Sequence, residues 1–189
     1  MARKVGLDRR QVLDAASTLA DAEGFESVTL ARVASALGVA SPSLYSHVGG
    51  LPGLRRALAL GASTLLGDAM RKALADAQGV TALRATARAY RHFAWAHPGL
   101  YATLHTTPGQ AEDPEVYAAF AAMLPDLATV LAGMGVPDED AVPLIRTLLS
   151  ALHGFVSLEA SGGFGLSQDL DASFETLVDV LVAGILARS

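Results

Sequence analysis

The chain has 189 residues, a net charge of −5, 51% hydrophobic and 17% charged residues, and no cysteine. This length suits one or two small domains with a buried core, and the missing cysteine excludes disulfides and thiolate chemistry. No run of about 18 consecutive apolar residues marks a membrane span, and the opening MARKVGLDRRQ has no apolar signal core, so a cytoplasmic protein with no membrane partner is expected. The high apolar content points to surface that a partner covers. Charge is uneven. Residues 1–60 hold seven basic residues (Arg3, Lys4, Arg9, Arg10, Arg32, Arg55, Arg56) against five acidic ones (Asp8, Asp14, Asp21, Glu23, Glu26), which leaves −7 for the rest. A basic head on an acidic body fits a chain whose head alone meets a polyanion.

The periodicity predicts an all-α protein of about nine helices. Val12, Leu13, Ala16, Leu19 and Ala20 share one face of a first helix from about residue 8, which Gly24 ends. Thr29 caps a second helix carrying Leu30, Val33, Ala34 and Leu37, and Gly38 stops it after two turns. A third, short helix starts at Ala40 or Ser41 with Pro42 in its first turn, turns Leu44 and Val48 inward and closes at Gly49-Gly50. A long fourth helix runs from about Leu51 to Ala77, with Leu54, Leu58, Leu65 and Leu66 inside. Further helices fall at about 81–97, 98–105, 113–133, 138–160 and 171–187, separated by Pro- and Gly-rich breaks. The expected organisation is a small domain over 1–55 and a helical domain over 56–189.

Two short helices joined by the tight Gly38-Val39 turn form a helix-turn-helix pattern. A slim third helix fits a major groove about 12 Å wide, and its small leading residues allow close backbone approach. The run 29-TLARVASALGVASPSLYSHVGGLPGL-54 resembles the TetR family of bacterial transcription regulators. The matching residues are Thr29, Val33-Ala34, Leu37-Gly38-Val39, Leu44-Tyr45, His47 and Leu54. The segment 151-ALHGFVSLEASGGFG-165 looks like the C-terminal ligand-binding domain of one subgroup. The resemblance implies roles for single residues. Thr29 caps the second helix and touches phosphate. Ser41, Pro42 and Ser43 face the bases. Tyr45 and His47 grip phosphates, which set register, while base contacts set sequence choice. Arg3 and Lys4 are expected as a basic arm, and Arg32 as a further phosphate contact. The family's Lys at the start of the fourth helix is Leu51 here, with Arg55 or Arg56 as its replacement. The third helix has no Arg, Lys, Asn or Gln, so bidentate base reading is not expected from it, and part of the specificity falls to DNA shape.

In the body, Met70, Tyr90, Phe93, Tyr101, Phe120 and Met123 stand among many Ala and Leu. Large side chains beside small ones leave room for a small-molecule effector, which the family usually senses there. His153 is a polar candidate at the same pocket or at an interface. The His spacing fits no compact metal site, no catalytic constellation appears and no cofactor is expected. The last two helices carry a wide apolar surface. Leu152, Gly154 and Phe155 on one, with Phe174, Leu177, Val178, Leu181 and Ile185 on the other, are the expected homodimer interface. A two-fold dimer sets two third helices into successive major grooves about 34–36 Å apart on a near-palindromic double-stranded operator. The resulting expectation is a ligand-responsive regulator, most simply a repressor and not an enzyme. Its rival is a helical small-molecule-binding protein or enzyme with a vestigial DNA-binding head.

Overall fold

The computed structural model describes residues 7–75, 77–106 and 113–189. Its regular structure among the described residues is helical: α1 (Arg9–Glu23), α2 (Leu30–Leu37), α3 (Pro42–Val48), α4 (Gly50–Leu74), α5 (Gly79–Ala96), α6 (Pro98–Thr106), α7 (Pro114–Ala121), α8 (Leu124–Ala132), α9 (Asp138–Ala160) and α10 (Leu170–Leu186). A short 3₁₀ turn, Phe25–Ser27, joins α1 to α2. The all-α class is as expected. The single helix read over 113–133 is broken at Ala122-Met123, because Pro125 is tolerated only in a first helical turn. Counted as one interrupted helix, α7 and α8 bring the total to the expected nine.

The described residues form two compact units. One lies within 1–64 and 96–120, the other within 65–95 and 121–189, and α4 contributes to both.

In the first unit, α1 opens on a capping box. Asp8 accepts from the Gln11 amide at 2.8 Å, and the Asp8 amide donates to the Gln11 side chain at 3.0 Å. Val12, Ala16 and Ala20 are fully buried along one stripe of α1. The helix ends at Gly24 with φ 86°, a conformation that suits glycine. Packed on α1 is α6. A Cβ added at Gly99 would lie 2.0 Å from the Ala20 carbonyl oxygen. Asp21 receives the Leu100 amide at 3.0 Å and meets His97 Nδ1 at 2.8 Å. One carboxylate of α1 therefore caps the start of α6, where four backbone amides lack helical partners. Arg56 of α4 is bonded by both oxygens of Asp113 and by Glu115 at 2.6 Å, and Asp113 also accepts from the Glu115 and Val116 amides that open α7. The Arg56 guanidinium holds the Asp113 carboxyl down at about 2.

In the second unit, α5, α9 and α10 share an aromatic core. Phe155 meets Phe164 at 4.9 Å and Phe174 edge-on at 5.2 Å. The Arg91 guanidinium lies over the Phe155 and Phe174 rings, 5.6 and 4.8 Å from their centroids. It is bonded to both oxygens of Glu159 and to Asp171 at 2.8 Å, with the Arg91 and Glu159 side chains only 19% and 20% exposed. Arg84 with Asp179 and Arg88 with Glu175 continue an antiparallel ladder of ion pairs between α5 and α10.

This packing corrects the interface expected from the sequence. Leu152, Phe155, Phe174, Val178 and Ile185 are buried within the single chain. Side chains already covered by their own subunit have no surface left for a second copy. Leu177 and Leu181 are half-buried and Gly154 is exposed. The large apolar residues that α9 and α10 do leave exposed are Val142, Leu158, Val180 and Leu186, of which Val180 is the most open at 65%. A second correction concerns α4, where Leu65 faces outward at 48% exposure while Leu54, Leu58 and Leu66 are buried.

Candidate nucleic-acid interface

The helix-turn-helix is built by local rules and lies wholly in the first unit. The Thr29 hydroxyl accepts from the Arg32 amide at 3.3 Å and starts α2. Gly38 takes the left-handed conformation (φ 66°, ψ 31°), its amide bonds Ser35 O at 3.1 Å, and the Val39 amide bonds Ala34 O at 3.0 Å. These bonds form the paired closure that ends a helix and redirects the chain. Val39 is half-buried in the resulting angle. Two turns of α3 follow, with Leu44 and Val48 buried and Gly49 closing the helix at φ 65°.

The outer side of α3 carries the residues singled out from the sequence. Pro42, Ser43 and Tyr45 are exposed, and Ser41 and His47 are half-buried. Tyr45 is 59% exposed, and its ring borders Gly50, where an added Cβ would stand 3.6 Å from Tyr45 Cε1. Ser41 makes no side-chain capping bond, so its hydroxyl is not spent on the helix start. Behind α3, a Cβ at Gly53 would fall 1.9 Å from the Val48 carbonyl oxygen. The first turn of α4 is thus pressed backbone to backbone against the end of α3. A Gly directly after Pro52 inside a helical pattern was the available sign of this close approach.

The cations are more committed than their sequence positions suggest. Arg32 pairs with Glu23 and reaches Ser27 O at 3.5 Å. Arg55 donates to Glu26 at 3.1 Å and lies over the Phe25 ring at 5.0 Å. Arg56 is taken by Asp113 and Glu115. Arg3 and Lys4 lie outside the described residues. Glu23, Glu26 and Asp113 carried no signal in the sequence, because their partners lie 9, 29 and 57 positions away.

The residues expected at an effector pocket divide between the units. Met70, Tyr90, Phe93 and Met123 are buried in the second unit, with His153 half-buried there. Burial lowers the His153 pKa, and its Nδ1 is 3.4 Å from the Ser157 hydroxyl. Tyr101 and Phe120 belong to the first unit, and Tyr101 meets His105 edge-on at 5.0 Å. Two cavities of the second unit are lined by other side chains. One of about 720 Å³ lies among Arg88, Arg91, His92, Trp95, Glu159 and the start of α10, and one of about 380 Å³ lies among Leu74, Gln78, Asp126 and Val130. Trp95 stands at the first, 77% exposed and 6.4 Å from His92 between ring centroids.

Comparison with known proteins agrees with this architecture. Residues 12–49 match the family model described as bacterial regulatory proteins, tetR family, and residues 83–181 match the tetracyclin repressor-like C-terminal domain. The uncharacterized HTH-type transcriptional regulator Rv0681 of Mycobacterium tuberculosis is 35% identical over all of this chain and 86% of its own. YobS of Bacillus subtilis, also an uncharacterized HTH-type transcriptional regulator, is 29% identical over all of this chain and 98% of its own. Among solved structures, a protein of unknown function from Rhodococcus sp. RHA1 superposes with a TM-score of 0.81 at 24% identity, covering 97% of this chain and 98% of that one. The TetR family protein ActR of Streptomyces coelicolor in complex with (S)-DNPA gives 0.69 at 20% identity, with 97% and 98% covered. A TetR variant from Acinetobacter baumannii AYE in complex with minocycline gives 0.72 at 24% identity, with 97% and 99% covered. At these identities the structural likeness speaks for the fold, while the two family models and the Rv0681 match carry the kinship. The chain belongs to the TetR family of helix-turn-helix transcriptional regulators.

Proposed function

We propose that the protein is a cytoplasmic repressor that binds a near-palindromic operator as a homodimer and releases it when a small molecule binds. The observation that carries this reading is the outer side of α3. Pro42, Ser43 and Tyr45 point to solvent on a helix whose backbone is braced by α4 at Gly53. Ser41 to Ser43 meet base edges and the groove wall, Tyr45, His47 and Thr29 meet phosphates, and Arg3 and Lys4 add a basic arm.

Homodimerisation follows from groove geometry, since two recognition helices must be held about 34–36 Å apart. Its support is the apolar surface left on the last two helices. An 18-residue window of α9 has a mean hydropathy of 1.5, yet only 33% of it is buried in the subunit. The interface we propose is Gly154, Leu158, Leu177, Val180 and Leu181. A Cβ at Gly154 would meet nothing within 4 Å, so this position offers a second helix an open approach.

The effector is a small molecule held within the second unit by side chains drawn from Met70, Tyr90, Phe93, Met123 and His153. The ligands of ActR and of the minocycline-bound TetR variant support this role by kinship. Release works only if the effector binds the DNA-competent and incompetent states unequally. The continuous α4, which contributes to both units, is the element through which the states differ.

Selection from random duplex DNA with the effector-free protein tests the reading. Enrichment of a two-fold-symmetric site is expected. Recovery of no sequence at low salt would instead leave the helical binding protein with a vestigial head. Sedimentation at micromolar concentration should give a dimer, and a monomer there excludes the operator geometry.

A further inference from the structure

We propose that the connection between α1 and α2 is an electrostatic brake on DNA binding. Its carboxylates, Glu23 and Glu26, hold Arg32 and Arg55 as internal ion pairs. A phosphate gains either guanidinium only by displacing a carboxylate. The inference rests on the DNA-binding reading of this surface and adds to it a pair of residues that set the strength of binding.

The argument starts from where the positive charge of the head is spent. Residues 7–60 contain five arginines, Arg9, Arg10, Arg32, Arg55 and Arg56. Arg10 lies 3.7 Å from Asp14, Arg32 pairs with Glu23, Arg55 with Glu26, and Arg56 with Asp113 and Glu115. Only Arg9 has no carboxylate at ion-pair distance among the described residues. The recognition helix supplies no Lys or Arg of its own. Nonspecific attraction to DNA is almost wholly a matter of cations on phosphates, so among the described residues of this head most of the cations are already paired internally.

The position of the two pairs makes them relevant to DNA. Arg32 is in the first turn of α2, and its amide is the one that Thr29 caps. Arg55 is in the second turn of α4, beyond the Gly53 contact with α3. Both sit beside the groups assigned to phosphate. The clasps are also releasable. The Glu23 and Glu26 side chains are 49% and 80% exposed, and exposed pairs hold little free energy. Arg56, bonded by two carboxylates, is the firmer case and is not part of the brake.

The exchange has a distinct signature. When an Arg leaves Glu for phosphate, DNA releases a counterion while the freed Glu takes one up. Net release per Arg then falls below the usual ~0.9. The freed carboxylate also stands near phosphate and repels it. Both effects weaken binding that depends on charge alone more than binding that also has base and shape contacts. The brake therefore raises the ratio of specific to nonspecific binding.

The test is fluorescence anisotropy on a labelled random-sequence duplex over a range of KCl. Glu23→Gln and Glu26→Gln should each tighten binding by about two- to fivefold, the range an exposed pair holds back. Each should also steepen the salt slope by up to ~0.9. Two further measurements separate released Arg from altered net charge. Glu23→Asp keeps the charge but shortens the arm, and should also tighten binding. Glu23→Gln in an Arg32→Ala background should have a smaller effect, because only the repulsion of phosphate by the carboxylate is then left to remove. Wild-type affinity in Glu23→Asp, or an undiminished effect of Glu23→Gln without Arg32, overturns the brake. Failure of the wild type to bind any duplex at low salt overturns the DNA-binding reading as well, and is seen before any variant is made.

Discussion

Replacing Gly99 by Ala places one methyl group where the structure has no room. The new Cβ would stand 2.0 Å from Ala20 O, 2.1 Å from Ala20 C and 2.7 Å from Asp21 N. All three atoms belong to the α1 backbone, so no side-chain rotation relieves the clash. Ordinary contact begins near 3.4 Å, and α6 must therefore retreat from α1 by about 1.4 Å. That displacement takes the Leu100 amide, now 3.0 Å from Asp21, out of hydrogen-bond range, and strains the 2.8 Å contact of His97 with the same carboxylate. Hydrogen bonds to a charged partner contribute about 1.5–3 kcal/mol each. Against this, Ala is about 1 kcal/mol better than Gly in a helix. The net loss is about 2–4 kcal/mol. Urea denaturation followed by circular dichroism should show a lower midpoint with unchanged slope. A Gly99→Ala protein as stable as the wild type would show that α6 does not bear on α1 as described.

Tyr45→Ala should weaken DNA binding nearly uniformly across sequences, as loss of a phosphate contact does, and loss confined to one sequence class would assign Tyr45 to base reading instead. Arg91→Met strands Glu159 and Asp171 and removes the guanidinium from over the Phe155 and Phe174 rings. The exposed Asp171 relaxes into water while the largely covered Glu159 does not, so a stability loss of about 2–3 kcal/mol is expected by thermal or urea unfolding, and a loss below 0.5 kcal/mol, the scale of ordinary surface changes, contradicts the hub. His153 has a pKa lowered by burial from 6.5. The unfolded chain therefore takes up this proton first, so the stability tied to His153 is full above about pH 6.5 and declines as pH falls below it. His153→Gln should lose less stability than the wild type between about pH 7.5 and pH 5.5, and an equal loss in both would show that the group does not titrate as described.

The parts of the fold legible in the sequence are those fixed by neighbours along the chain. Thr29 caps because a hydroxyl there meets the amide three residues on, and Gly38 turns because only a left-handed residue lets the Val39 amide reach Ala34. Periodicity likewise identified Val12, Ala16 and Ala20 as a buried stripe. What it could not identify is which element covers a stripe. The apolar arc of α10 reads in the sequence as surface for a twin, but Phe174 and Val178 are covered within their own subunit, and the most exposed large apolar residue of α10 is Val180, on the other side of the helix. The same limit applies to charge. Arg32, Arg55 and Arg56 look alike as cations in a basic head, and their availability depends on Glu23, Glu26 and Asp113, which only the folded chain brings to them. The break between α7 and α8 is a different matter, since Pro125 announces it and an uninterrupted apolar pattern hides it.

The chain has a single tryptophan, and the fold leaves it largely in water at the edge of a cavity, with His92 beside it. The unmodified protein therefore carries its own optical reporter. Its ultraviolet emission arises from one indole, so no deconvolution among fluorophores of that type is required. With that indole 77% exposed, an event that covers it is expected to shift the spectrum to the blue. Compound libraries and assembly in solution are thus open to screening without a label or a dye.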